Sequence, residues 1–323
     1  MPRRCVKCGG EAAVGMDYAN VHFCRECFKE FFEKKVRSTV LKYAMIKPDD
    51  RVLVAVSGGK DSSSLLFALR KVFPDLKIEA LHINLGIKGY SEESEQKVYE
   101  LVNSVKTNLI LFDLEKELGI SIEDFKNTLY RRKICSPCGV VKRYLINKIA
   151  YEKGFTKVAT AHTLDDTAAL LFNGYLHGDA DGLVRLKPVL PSTHTKFVAK
   201  IKPLWEITDR ECLVYAHFCN LPYIMKSCPL GGETTKMRER KEMISELSTK
   251  IRGFKHILLQ SHTKRILPLL EASVKMQPLI ECELCGMPSS ERICAFCKRM
   301  GLIKQISSAS YPQPTKTPSQ PPS

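Results

Sequence analysis

Along the middle of the chain, short runs of apolar residues alternate with longer stretches in which apolar residues return every three or four positions. Val52–Val56, Ile78–Ile83, Leu109–Phe112 and Lys157–Ala161 are mostly apolar and of strand length, as expected of strands covered on both faces. Between them, the stretch carrying Leu65, Leu66, Ala68 and Leu69, then Glu92–Lys106 and Val140–Lys153, read as helices. Strands and helices in alternation predict an α/β fold, a doubly wound parallel sheet. In such sheets ligands bind beyond the carboxyl ends of the strands. Three segments fall there: Ser57–Ser62, Asn84–Ile87 and Ala161–Asp166. Further on come a Pro-rich crossover, Lys187–Pro191, a strand-like Phe197–Ile201, the single tryptophan Trp205, and a helix over about Thr208–Asn220. Ahead of the sheet, a basic helix over Phe28–Lys47 places Phe31, Phe32, Val36, Val40, Leu41 and Tyr43 on one side.

The segment Ser57-Gly58-Gly59-Lys60-Asp61-Ser62 carries the most chemistry. A strand that runs through two glycines into a helix N-terminus is an anion trap. Backbone N–H groups are unpaired there, the helix dipole adds positive potential, and glycine lets a phosphate approach the main chain. Lys60 supplies a point charge, and Asp61 could help hold Mg²⁺ on the phosphates. The spacing differs from the Walker pattern G-x-x-x-x-G-K-[ST].

The chain has 323 residues, 44% of them hydrophobic, and 13 cysteines. No apolar run approaches the length that spans a bilayer. The opening residues lack the apolar core of a signal peptide, so a cytoplasmic protein without membrane contact is expected. Eight cysteines fall into four CxxC pairs near the two ends, and in a long chain without an export signal they suggest metal rather than disulfides. Cys5, Cys8, Cys24 and Cys27 form one four-thiolate pattern; Cys282, Cys285, Cys294 and Cys297 form another. Both suit tetrahedral zinc. His22 is a rival ligand, but the first two pairs already fill four positions. The expected layout is a zinc finger over 1–30, a linker helix over 31–48, the α/β domain over 49–235, a basic helical region over 236–275, a zinc ribbon over 276–304 and a disordered Ser/Pro tail over 305–323.

Cys135 and Cys138 stand apart from these sets. Residues 126–148 hold seven Lys or Arg and no Asp or Glu, and positive surroundings favour thiolate. Cys228 lies alone, beyond the last expected strand. Three thiolates suit an iron–sulfur cluster with one iron left open, and they equally suit persulfide chemistry with a resolving cysteine. Cys212 and Cys219 fall on one helix and read as core residues. A net charge of +15 points to a polyanionic partner. The stretch Lys236–Arg265, with nine Lys or Arg against three acids, suits either a phosphate-binding face or an ordinary solvated one.

Taken together, the paired cysteines at both ends, the SGGKDS loop, the central CxxC, the HxLDD segment His162–Asp166 and the lone Cys228 resemble the PP-loop ATP pyrophosphatases, and within them the TtuA-like tRNA 2-thiouridine synthetases. The resemblance covers nearly everything except the tail. It implies an adenine nucleotide alpha-hydrolase-like fold and ATP-dependent 2-thiolation of a tRNA uridine. The uracil C2 oxygen is adenylated with release of pyrophosphate, and sulfur then displaces AMP. It also implies that Cys135, Cys138 and Cys228 hold a [4Fe–4S] cluster and that Lys142 and Asp166 are catalytic. Ala55, Val56, Ser57, Gly58, Gly59, Lys60, Asp61, Ser62, Ile83, Lys142 and Ala161 fall where ATP is held. Implied cofactors are ATP, Mg²⁺, two zinc ions and the cluster. Implied partners are tRNA and a ubiquitin-like sulfur carrier or free sulfide, with a homodimer common in the group. Ala161 stands where the family has glycine. Asp166 or Asp165 could instead cap the helix that follows. The target, uridine 34 or 54, is left open, as are two rivals: another adenylating enzyme of the superfamily and a non-catalytic zinc-ribbon RNA-binding protein.

Overall fold

The computed structural model describes residues 3–231, 236–274 and 278–309. A hairpin, β1 (Val14–Met16) with β2 (Val21–Phe23), leads into α1 (Arg25–Lys42). The central elements are β3 (Arg51–Ala55), α2 (Lys60–Val72), β4 (Lys77–Asn84), α3 (Ser91–Ser104), β5 (Leu109–Asp113), the short α4 (Leu114–Leu118) and α5 (Cys135–Glu152). They continue through β6 (Lys157–Ala159), α6 (Leu164–His177), α7 (Ala180–Val184), β7 (Val189–Leu190), β8 (Ala199–Ile201) and α8 (Asp209–Phe218). Then come α9 (Lys236–Lys250), α10 (Phe254–Ser261), α11 (Leu267–Ser273), the strands β9 (Ile280–Glu281) and β10 (Pro288–Ser289), and α12 (Ala295–Ala309).

The main sheet has six strands in the order β5-β4-β3-β6-β8-β7. Five are parallel, while β7 runs antiparallel to β8. The expected doubly wound parallel sheet is present, with one antiparallel edge strand, because the link from Leu190 to Ala199 is too short for a parallel crossover of a dozen or more residues. From β3 the chain steps outward through β4 and β5, then returns through α5 to β6 on the other side of β3. That reversal opens a crevice at the carboxyl end of β3.

One apolar layer packs Val52, Val54 and Ala80 of the sheet against α1, α2 and α8; the other packs Leu53, Leu81 and Val158 against α5. Helix α1 buries Phe28, Phe32, Val36 and Val40, four residues apart on one face, and Phe32 stacks on Tyr215 of α8 at 4.0 Å between ring centroids. It is therefore a core helix rather than the linker expected over 31–48. It starts inside the cysteine-bearing segment and ends before Ala44, whose φ is +46°. The third apolar cluster joins Trp205 to Leu164 and Leu171 of α6 and Leu259 of α10.

At the carboxyl end, α12 lies on α5, with Phe296 stacked on Tyr144 at 3.8 Å and an interplanar angle of 3°. The helix runs to Ala309, past the expected start of the tail; residues 310–323 of that tail lie outside the described residues. Among the described residues no helix is long and apolar enough to cross a membrane.

Candidate active site

The glycine loop is built by close approach to α3. Gly58 has φ +79°, and a Cβ there would lie 2.6 Å from Ser94 Oγ and 2.8 Å from Ser94 O. Only glycine fits. Ser94 Oγ donates to Ser57 O (2.7 Å), Ser62 Oγ donates to Gly59 O (3.0 Å), and Ser57 N donates to Ser62 Oγ (3.1 Å). No side chain caps α2 at Gly59, so its first-turn amides are available to an anion.

The segment leading to Cys228 is stitched onto this loop. Ile224 N donates to Gly58 O (2.8 Å), Ser63 Oγ donates to Pro222 O (3.0 Å), and Lys226 pairs with Glu93 of α3. These bonds explain how a distant cysteine reaches the crevice. Cys135 and Cys138 arrive on the first turn of α5, which begins at the cysteine pair rather than at the expected Val140.

A cavity of about 240 Å³ results. Ala55, Val56 and Ser57 line it from the loop, Ile83 from β4, Tyr90, Ser91 and Ser94 from α3 and its approach, Cys135, Cys138 and Lys142 from α5, and Cys228 from the stitched segment. The three cysteines and the phosphate loop thus share one space. Burial pushes the Cys138 thiol up, Lys142 works against this, and Cys228 and Cys135 push it further up. A larger groove of about 930 Å³ follows Lys126–Lys133. It is formed by one basic loop that offers neither carboxylate nor thiol, so the smaller cavity is the candidate site.

Gly58, Gly59, Lys60, Asp61, Ser62, Ala161 and Asp166 lie outside that lining. Ala161 follows β6 and packs against the first core. The charged members meet in a second cluster at the amino ends of α2, α6 and α8. Lys60 Nζ donates to Asp61 at 2.6 Å. Burial opposes the Lys60 charge, but Asp61 and then Asp209 hold its ammonium above the usual value. Asp61 in turn feels Asp209 and Asp166. The cap of α6 is Thr163, neither Asp165 nor Asp166. Asp166 takes the reciprocal position, accepting from Thr163 N at 3.0 Å.

The second oxygen of Asp166 accepts from Lys241 of α9 at 2.5 Å, and Lys241 also bonds Asp209 at 3.0 Å. Lys255 of α10 holds Asp165 at 2.5 Å. Burial alone would raise the Asp166 carboxyl; Lys241 reverses this and keeps it below its usual range. Sequence reasoning missed Lys241 by counting it in an outward basic face. Its signal was its place on the stripe Met237, Lys241, Ile244, Ser248, of which Ile244 is buried.

Both terminal quartets are assembled. Cys5, Cys8, Cys24 and Cys27 bring their sulfurs within 4.8 Å of one another, as do Cys282, Cys285, Cys294 and Cys297. The ring of His22 is bonded to Arg3 instead. Cys135, Cys138 and Cys228 do not form such a tight group among the described residues. Of the two expected core cysteines, Cys212 is buried and Cys219 only half-buried.

The PP-loop domain model matches residues 28–247, and the model for the N-terminal LIM domain of 2-thiouridine synthetase TtuA matches residues 4–29. A tRNA-5-methyluridine(54) 2-sulfurtransferase from Pyrococcus horikoshii is 41% identical over 94% of this chain and 95% of that protein. The chain belongs to the PP-loop tRNA sulfurtransferase family. A family member of the same name from Thermotoga maritima is 34% identical over 94% of this chain and 97% of its own length. The cytoplasmic tRNA 2-thiolation protein 1 of Aspergillus niger is 30% identical over 92% and 87%. Among solved structures, the U34-tRNA thiolase NcsA from Methanococcus maripaludis with its [4Fe–4S] cluster is 26% identical, covers 97% of this chain and 99% of that one, and superposes with a TM-score of 0.78.

Proposed function

We propose that the protein is an ATP-dependent tRNA uridine 2-thiolase. The observation that carries this reading is the shared cavity, lined both by Ala55, Val56 and Ser57 of the phosphate loop and by Cys135, Cys138, Cys228 and Lys142. ATP would place its phosphates on Ser57–Ser62 and its adenine near Ile83 and Ala161, with Mg²⁺ at Asp61. The C2 oxygen of uracil is a poor leaving group. Its attack on the α-phosphorus of ATP releases pyrophosphate and makes AMP the leaving group, which a sulfur nucleophile then displaces from C2. Lys142 and the loop amides offset the growing phosphate charge, and Asp166, whose carboxyl Lys241 keeps below its usual range, would ligate the metal or accept a proton.

Three thiols that line one cavity without forming a tight single-ion group fit an iron–sulfur cluster, whose cysteine-bound irons occupy separate corners. Bound there, the cluster would supply an iron with an open position for a sulfur ligand. Zinc fits the two quartets. Tetrahedral thiolates at a Zn–S distance of about 2.3 Å stand about 3.8 Å apart, and the Cys8–Cys24 and Cys285–Cys294 sulfurs are 3.6 Å and 3.8 Å apart.

Uridine 54 is the target favoured by the 41% and 34% identical relatives; the neighbour named for uridine 34 is 26% identical. The sulfur donor is a ubiquitin-like carrier or sulfide, as the family resemblance implies, and the place of action is the cytoplasm, as the name of the Aspergillus relative suggests. The test uses anaerobically purified protein with ATP, sulfide and tRNA lacking 2-thiouridine, and mass spectrometry of nucleosides mapped by position. Thiolation at position 54, coupled to AMP and pyrophosphate release and lost in Cys138→Ala with tRNA binding retained, is the expected result. Folded, cluster-loaded wild type that thiolates no uridine overturns the reading; thiolation at position 34 overturns only the choice of target.

A further inference from the structure

Strand β8 and the residue that follows it carry a pair of lysines, Lys200 and Lys202, that the reading above does not use. Lys200 and Lys202 are two residues apart and so face the same side of the sheet, the side on which Val198 packs with Val141, Leu145 and Ile149 of α5. Lys202 is 8% exposed, with its ammonium 4.9 Å from the centroid of the Trp205 ring. The ammonium of Lys200 is 4.6 Å from the centroid of Phe197. From α5, Arg143 brings a third positive charge that bears on Lys200 and on His162. Lys202 bears on His162 as well. Among the described residues no carboxylate pairs with Lys200, Lys202 or Arg143.

Such a group is costly as it stands. Like charges bear on one another, partly removed from water, and although the Asp166 carboxylate bears on His162, no carboxylate among the described residues pairs with the two lysines. Burial and then Arg143 push the Lys200 ammonium down to about 8, and burial and then Lys200 do the same to Lys202. A chain keeps such an arrangement where an anion completes it. This one lies at the carboxyl end of the sheet, one helical position from Lys142 of the cavity, where ligands of this architecture bind.

We propose that Arg143, Lys200, Lys202 and His162 form a phosphate-binding subsite, distinct from the glycine loop, that holds a phosphate group of a substrate at the mouth of the sheet. The thiolase reading, on which this rests, offers two phosphate-bearing ligands: the triphosphate of ATP and the tRNA backbone beside the target uridine.

The test compares wild type with Lys202→Met, Lys200→Met and Lys202→Arg. Three quantities are measured: thermal stability without ligand, the ATP dissociation constant, and the tRNA dissociation constant over a range of salt. The methionine variants should melt no lower than wild type, because they remove an uncompensated charge. They should also bind one of the two ligands about tenfold or more weakly, with Lys202→Arg recovering most of the loss. If the phosphate belongs to tRNA, the slope of log affinity against log salt falls by about 0.7 to 0.9 as one contact is lost. If it belongs to ATP, tRNA binding is unchanged and ATP binding weakens. Methionine variants within twofold of wild type for both ligands overturn the subsite, and so does a fall in melting temperature, which would mark a structural lysine. Thiolation by the same wild-type preparation separates the two ideas, since its absence counts against the thiolase reading and leaves the binding comparison intact.

Discussion

Lys35→Met probes the tie between the amino-terminal hairpin and the helix that braces the glycine loop. Glu211, in the first turn of α8, is 0% exposed, and Lys35 of α1 is 17% exposed. The carboxylate accepts from Lys35 Nζ at 2.7 and 3.0 Å, from Tyr18 OH at 2.8 Å, and from Thr208 N and Oγ1 at 2.7 and 2.9 Å. Helix α8 grips α2 in turn, since Ser64 Oγ donates to Cys212 O at 3.1 Å. Burial alone would raise the Glu211 carboxyl; Lys35 is the largest of the influences that hold it below the usual range instead.

Removing one partner of a buried pair costs about 3–5 kcal/mol. Three neutral donors remain on Glu211, so the lower end applies, about 3 kcal/mol. At about 2–4 °C per kcal/mol for a chain of this size, the melting temperature should fall by about 6–12 °C. A carboxyl with a lowered native pKa stabilises the fold above its unfolded value of about 4.3, and that stabilisation is lost as pH falls through the native value. The gap between wild type and variant should therefore close below about pH 4. Circular-dichroism melts from about pH 2 to 8 measure both effects, and Lys35→Met combined with Glu211→Gln should recover part of the loss. A single variant that loses less than about 1 kcal/mol at pH 7, or a gap that widens in acid, refutes the reasoning.

Gly58→Ala puts a Cβ 2.6 Å from Ser94 Oγ at a φ of +79°; it should cost about 1–3 kcal/mol of strain and weaken ATP binding, measured by calorimetry, by about tenfold or more. Lys241→Met leaves Asp166 and Asp209 without their shared cation. With the lysine 28% exposed, about 2 kcal/mol should be lost in urea unfolding, much less in Lys241→Arg. Stripping metal from the carboxyl-terminal quartet, or Cys294→Ser, should free α12 from Tyr144 and speed amide exchange along α5 while β3 stays protected, as read by hydrogen-exchange mass spectrometry.

The strands were legible because parallel strands buried on both faces leave nearly continuous apolar runs, as in Val52–Val56. Two features were not. Antiparallel β7 is only two residues long, and its direction follows from a short connection rather than from any pattern. The basic stretch after Thr235 looked like one outward face because charge was summed along sequence. On the helices, Lys241 and Lys255 turn inward to three carboxylates, and only helical spacing could have singled them out. Lys60, Asp61 and the paired cysteines announced themselves by local spacing. Cys228 had no local signal beyond being a cysteine left over from the pairs, since its place depends on Ile224 and Pro222 reaching residues 58 and 63; the family resemblance supplied its role.

The division of the site into two halves answers a chemical problem that thiolation would pose. An adenylated uridine is open to water as well as to sulfur, and water is far more abundant. The cavity that holds Cys138 and Cys228 is also lined by Leu81, Ile83, Leu85, Tyr90 and Ile146, so sulfur would meet C2 where few waters can compete. Outside that lining, at the amino ends of α2, α6 and α8, lies the charged cluster in which Lys241 binds Asp166 and Asp209. Burial raises the Cys138 thiol, and a metal or cluster bound there would favour the thiolate instead. An apolar pocket would serve this chemistry only if something in it stabilised the thiolate, and the three cysteines lining the cavity are residues that would hold such a group.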